Sequence, residues 1–224
     1  EYADIVARGN NLILLGSTKH NQNTPQIHAS KTAWDYFQRA PQWQKQIWGN
    51  APITKDTISK IESHLLNDNI SCAGDGSVKR GKAAHAWCVF RKDTHEILVK
   101  GTATVKGDYD HITSLRPETI SCVAAGSFLN MIAAANDQVD SSVTFYSDNE
   151  SAVINSSRTL IHDAGSAMEN DIDVTIQNIR LINKAKFKFR MIHVHGHQDD
   201  NSSKLSPIAD INVQMDELAG QHVE

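Results

Sequence analysis

Four carboxylates in this sequence, Asp75, Glu118, Asp148 and Asp216, stand where a folded chain can gather them. Asp75 ends the apolar run that opens ISCAGDGS, and Asp148 ends the run VTFYS. Glu118 begins a helical stretch just after Pro117, and Asp216 lies in a final helical stretch. If the ends of the first and fourth strands are neighbours, two helix termini can lean over the same edge. Four acids converging there repel one another unless divalent cations sit between them, and hard oxygen ligands select Mg²⁺ or Mn²⁺. Two such ions about 4 Å apart clamp the attacking and leaving oxygens of an in-line phosphoryl displacement. A lone Asp after a strand is more often a turn former or a helix cap. The signal is the ordered set with its local words: GDGS at 74–77, RPETISCVAA at 116–125, YSDNESAV at 146–153, VHGHQ at 194–198 and NVQMDELAG at 212–220.

The elements that must position these residues follow from hydrophobic periodicity. A strand begins at residue 70, and AAHAWCVFR (83–91) and EILVKGTATV (96–105) continue it as an antiparallel meander. Residues 117–135 read as a helix packed around Val123, Phe128, Leu129 and Ile132. VTFYS (143–147) is a strand, and a helix follows from Asn149. Over 168–182, Ile172, Ile176, Ile179 and Ile182 share one helical face. AKFKFRMIHVH (185–195) is a strand, and 212–220 is a last helix. The order βββαβααβα predicts an α/β fold, a mixed five-stranded sheet flanked by helices.

Residues 1–68 have a different texture. NLILLGS (11–17) reads as a short strand, 19–26 as a polar loop, and Thr57–Leu66 as an amphipathic helix carrying Ile58, Ile61 and Leu65. Trp34, Phe37, Trp43 and Trp48 lie between, and they either dock on a neighbouring domain or stack on nucleotides beside Arg39 and Lys45. Docking is the preferred reading. The chain is therefore divided into a connection-like or linker segment, 1–68, and a catalytic domain, 69–224.

The 224 residues carry a net charge of −4, with 40% hydrophobic and 21% charged residues, an ordinary globular mix. No apolar run is long enough for a membrane span. Cys72, Cys88 and Cys122 lack metal-ligand spacing and suit a reducing compartment, so an intracellular location (cytoplasm or nucleus) is expected. The chain starts at Glu1 without a leader pattern, which reads as a trimmed chain or a segment of a longer polypeptide. The acidic balance argues at first against a nucleic-acid partner. Four of the acids, however, belong to the candidate metal site, and two divalent ions would offset the whole excess. What remains is little spare positive charge, hence a weak and salt-sensitive grip.

The ordered set resembles the type 1 ribonuclease H fold, in the form appended to reverse transcriptases of retroelements (retrotransposons), over about residues 69–222. That resemblance implies a ribonuclease H-like fold and endonucleolytic hydrolysis of the RNA strand of RNA–DNA hybrids, leaving 5′-phosphomonoesters. It implies two Mg²⁺ ions as cofactors, with Mn²⁺ as a substitute. Asp75 would bridge both ions, Glu118 and Asp148 would hold one, and Asp216 the other. His197 matches a mobile histidine that assists proton transfer or product release. Asn212 matches an asparagine that reads the RNA strand, and Ser77, Thr113 and Ser114 match positions facing the minor groove or a phosphate. Glu150 stands where the family usually has glutamine, and an acid there cannot donate to a 2′-hydroxyl. The short connection between the helix after Asp148 and the helix at 168–182 resembles the retroviral version, whose grip comes from elsewhere in the polypeptide. The implied partners are an RNA–DNA hybrid and an adjoining polymerase domain of a longer polypeptide, with no membrane.

Two rival readings use the same residues. His193, His195 and His197 alternate along a strand, and HVHGHQDD resembles the His-x-His-x-Asp-His run of zinc hydrolases of the metallo-β-lactamase type. Asp is missing where His197 stands, and His where Gln198 stands. A DNA-processing nuclease or integrase-like enzyme shares the fold and metal chemistry but requires a final Glu about 35 residues past the second Asp, and position 183 is Asn. The hairpin Lys79-Arg80-Gly81-Lys82 is the basic group best placed to touch phosphates.

Overall fold

The computed structural model describes residues 4–8, 11–15, 31–107, 112–158, 170–196 and 205–223. The chain divides into two compact units, residues 1–30 and 31–224. In the first, β1 (Asp4–Arg8) and β2 (Asn11–Leu15) form an antiparallel hairpin, of which the sequence pattern shows the second strand.

The second unit opens with three helices, α1 (Ala33–Arg39), α2 (Gln42–Trp48) and α3 (Lys55–Leu66). Each has a local reason to start. Thr32 and Asp35 form a capping box at α1, Pro41 precedes α2, and the Thr54 hydroxyl accepts from Thr57 N at 3.1 Å at α3. The meander follows as β3 (Ile70–Lys79), β4 (Lys82–Arg91) and β5 (Ile97–Val105). Then come α4 (Leu115–Ala133), β6 (Ser142–Ser147), α5 (Glu150–Ser156), α6 (Ile172–Lys184), β7 (Lys188–His193) and α7 (Pro207–Val223). From β3 onward this is the predicted βββαβααβα order.

The five strands lie in the order β5-β4-β3-β6-β7. β3 to β5 pair antiparallel, whereas β6 runs parallel to both β3 and β7. β4 is buried on both faces from Ala83 to Phe90, which is why its sequence is an almost unbroken apolar run. Strand alternation sends Trp87 and Val89 to one face and Ala86, Cys88 and Phe90 to the other. α1 to α4 pack with the first face, and α7 covers the second.

The expected boundary at residue 68 is not where the compact units part. Ala33, Trp48, Ile58, Ile61 and Leu65 share one core with Trp87, Phe128 and Phe145. Trp48 Nε1 donates to Ser127 Oγ at 3.1 Å, and Trp87 Nε1 donates to the Trp48 carbonyl at 3.3 Å. These bonds span 79 and 39 residues, so periodicity within a window cannot show them. The last helix also begins earlier than expected, at Pro207 instead of 212. Among the described residues no helix is long and apolar enough to cross a membrane.

Candidate metal centre

β3 and β6 are parallel, and their last registered pair is Ala73 with Tyr146. Asp75 and Asp148 each lie two residues beyond that pair, where the β3–β6 ladder stops. Asp75 is inside β3, which continues to Lys79 against β4 rather than ending at the acid as expected, and Asp148 directly follows β6. Glu118 reaches the same place from the first turn of α4. That approach requires a glycine in β3: a Cβ on Gly76 would lie 2.6 Å from Glu118 N and 2.7 Å from Pro117 Cβ. Asp75, Glu118 and Asp148 each offer an oxygen, and these atoms lie within 4.8 Å of one another. Asp75 and Glu118 are buried, each 4% exposed, while Asp148 is half-buried.

Neighbouring groups hold this arrangement. The Gly76 amide donates to Asp75 Oδ1 at 2.5 Å, and Ser147 Oγ donates to Glu118 Oε2 at 3.4 Å. Asn212 Nδ2 donates to Asp148 Oδ2 at 3.2 Å, and the His193 ring Nε2 lies 3.1 Å from the Asp148 carbonyl. Asp216 is half-buried on α7, one helical turn after Asn212, and stands outside the 4.8 Å group. Its charge still acts on Asp75.

Burial is the main reason Asp75 is pushed up to about 7; a hydrogen bond with Glu118 works against the shift, and the charges of Asp148 and Asp216 add to it. Glu118 is held well above the ordinary carboxylate range, by burial first and then by the Asp75 charge. Without a cation the two carboxyls titrate as a pair that retains protons. Acids packed this closely suit a hard divalent cation, whose charge relieves their repulsion and whose preferred ligands are oxygens. The residues therefore fit Mg²⁺ or Mn²⁺. A buried acceptor with no partner among the described residues, Asn212 Oδ1, lies in the same neighbourhood.

The other predicted site residues are placed differently from one another. Ser77 is half-buried on β3, two residues past Asp75, and Ser114 is exposed at the start of α4 without a capping bond. Thr113 has its hydroxyl engaged inside the protein, donating to Asp171 Oδ2 at 2.5 Å and accepting from Leu115 N at 3.2 Å. Glu150 is exposed at the first position of α5. Asn212 is buried at 2% exposure. His197 lies outside the described residues, as does most of the connection between α5 and α6. The rings of His193 and His195 meet edge to face with centroids 5.7 Å apart.

Sequence reasoning did not single out Arg116 and Ser147. Arg116 makes a two-point contact with Asp173 at 2.8 and 2.9 Å, reaches Asp171 at 3.3 Å and donates to the Lys106 carbonyl at 3.0 Å. It thereby ties the start of α4 to the end of β5 and the start of α6. A cation two residues before the buried acid is the only trace of this in the sequence, and Ser147 leaves none.

No protein-family model matches the chain, and no curated protein matches it. Solved structures do. One is LC11-RNase H1, isolated from compost by a metagenomic approach, at 14% identity and TM-score 0.50, covering 70% of this chain and 96% of that one. Another is prototype foamy virus protease-reverse transcriptase, at 17% identity and TM-score 0.50, covering 71% of this chain and 21% of the viral one. The shared feature is the fold: a mixed five-stranded sheet with flanking helices, the ribonuclease H-like arrangement.

Proposed function

We propose that this chain is a divalent-metal-dependent ribonuclease H that hydrolyses the RNA strand of RNA–DNA hybrids, within a reverse transcriptase polypeptide of a retroelement. The observation that carries the reading is the meeting of Asp75, Glu118 and Asp148 at one edge of a ribonuclease H-like sheet. The likeness in fold to a ribonuclease H1 and to a viral reverse transcriptase supports it.

Asp75, Glu118 and Asp148, with Asp216 joining from α7, would hold two Mg²⁺ ions, or Mn²⁺ in their place. When bound, such ions neutralise charge on the scissile phosphate and make water a nucleophile near neutral pH. The residues themselves do the positioning. Ser147 and the Gly76 amide orient Glu118 and Asp75. Water attacks phosphorus, the P–O3′ bond breaks, and the products are a 5′-phosphate and a 3′-hydroxyl that has taken up a proton. His197 is the proposed carrier of that proton. Ser77 and Ser114 are the small polar side chains proposed to meet the hybrid, and Glu150 is exposed at the start of α5. An adjoining polymerase domain would add the grip that a chain of net charge −4 lacks.

A cleavage assay on labelled RNA–DNA hybrid, double-stranded RNA and single-stranded RNA, in Mg²⁺ and in Mn²⁺, tests reaction, substrate and metal together. Cleavage confined to the RNA of the hybrid is expected. Asp75→Asn should abolish it in a protein that still folds; strong residual cleavage would refute the metal assignment. His197→Ala should slow turnover far less.

A further inference from the structure

Asn212 and Asp216 are four residues apart on α7 and leave the same face of that helix. Asn212 donates from Nδ2 to Asp148 Oδ2 at 3.2 Å. A carboxylate oxygen only accepts, so chemistry fixes the amide orientation: nitrogen toward Asp148, oxygen away from it. That oxygen is buried and has no hydrogen-bond partner among the described residues. Burying an acceptor without a donor is costly, so the site is built for a donor that joins it.

Two further contacts adjoin the half-buried Asp148. The main-chain carbonyl of Asp148 faces His193 Nε2 at 3.1 Å. Gly196 lies so close that an added Cβ would overlap Asp148 Oδ2. One carboxylate oxygen is therefore boxed between the Asn212 amide and the Gly196 backbone. A side chain 2% exposed, and already spending its donor on Asp148, is poorly placed to read a strand lying on the surface.

We infer, resting on the metal-site reading above, that Asn212 is a positioning residue for the cation and not a reader of the RNA strand. Its Nδ2 sets the Asp148 carboxylate, and its Oδ1 is the acceptor offered to the hydrated ion. Mg²⁺ dehydrates reluctantly and keeps several waters, each a donor. Partners of this kind behind a metal ligand typically change metal affinity or activity by about 10–100-fold when removed.

The test is Mg²⁺-dependent thermal stabilisation, read without nucleic acid, in the intact chain. For Asn212→Ala the Mg²⁺ concentration giving half of the stabilisation should rise roughly tenfold. In cleavage, kcat at low Mg²⁺ should fall and recover at high Mg²⁺, with KM for the hybrid within about twofold of the parent. An unchanged Mg²⁺ midpoint with a raised KM would overturn the inference and make Asn212 a substrate contact. If the variant does not fold, the Asn212 side-chain amide resonance of the parent protein is followed through the same titration. It should shift with the midpoint of the stabilisation; a resonance that stays still to saturation would overturn the inference. Failure of the parent protein itself to be stabilised by Mg²⁺ would remove the metal reading and this inference with it. That outcome differs from a failure confined to Asn212→Ala.

Discussion

The two faces of the five-stranded sheet are built to different depths. On one, Trp48, Trp87, Phe128 and Phe145 interlock with α1 to α4; Trp48 meets Phe128 edge-on at 5.5 Å, and Trp87 lies 5.3 Å from the same ring. On the other, α7 rests on Ala73, Ala86, Cys88 and Phe90 through Ile211, Met215 and Ala219. The candidate site draws on both. Glu118 arrives on α4 from the thick face, deeply buried, and Asp216 arrives on α7 from the thin one, half-exposed. The contrast teaches that the main core and one of the half-buried acids near the site come from opposite sides of the same sheet.

The largest expected effect breaks the thick face. Trp48→Ala should cost about 3–5 kcal/mol in denaturant unfolding, because it removes a ring, a hydrogen bond to Ser127 and the packing that ties α2 to α4. A loss no larger than that of Met215→Ala on the other face would mean that the two faces carry similar weight.

The second effect concerns the charge stored at the site. Asp75 is pushed up to about 7 in the folded protein from an ordinary 3.8, so its burial costs nothing while both states are protonated and costs progressively more as pH rises from about 4 to about 7. Glu118 acts in the same direction. His85, buried and lowered to about 4 chiefly by desolvation, opposes them, since it loses stability as pH falls below 6.5. Comparing variants isolates the acids. In EDTA, Asp75→Asn should be more stable than the parent at pH 8, by on the order of 3 kcal/mol, and the gap should close toward pH 4.5. A gap independent of pH would show that Asp75 is not the stressed group.

Met215→Ala comes next, at roughly 2–3 kcal/mol, the low end for a buried methionine because a thin cluster can settle around the space. The smallest effect tests whether the thick face reaches the site through its edge. Arg116→Ala should cost about 1–2 kcal/mol and lower cleavage modestly, since Asp173 loses its two-point contact and the Lys106 carbonyl its guanidinium donor, while Asp171 keeps the Thr113 hydroxyl. Equal cleavage at equal stability would show that Arg116 steadies the fold without steadying Glu118.

The particular elements explain how far the sequence could be read. β4 is an apolar run, and α6 carries isoleucines at helical spacing, so both declare themselves locally. The start of α7 was also declared, by Ser206 and Pro207: Ser206 Oγ accepts from Ala209 N at 3.2 Å, and proline suits a first helical position. The periodicity of 212–220 hides that signal. α1 and α2, of seven residues each, are too short to be marked by periodicity and depend on distant partners. At the site, residue types and order announce the acids, although Asp75 stands within β3 and Asp216 within α7 rather than at the element ends that the sequence suggests. The surroundings of Thr113 and Asn212 are silent in the sequence, since their partners Asp171 and Asp148 are 58 and 64 residues away.

The three cysteines give the contrast between faces a clock of its own. Cys72 and Cys122 sit in the thick cluster and Cys88 in the thin one, all fully buried and unpaired. Burial pushes the Cys88 thiol up to about 12 and the other two upward as well, so none presents a thiolate while the fold is closed. Alkylation must then wait for opening. Its rate at Cys88 times the lifting of α7, and its rate at Cys122 times the parting of the aromatic layer, so mass spectrometry of one sample can time both.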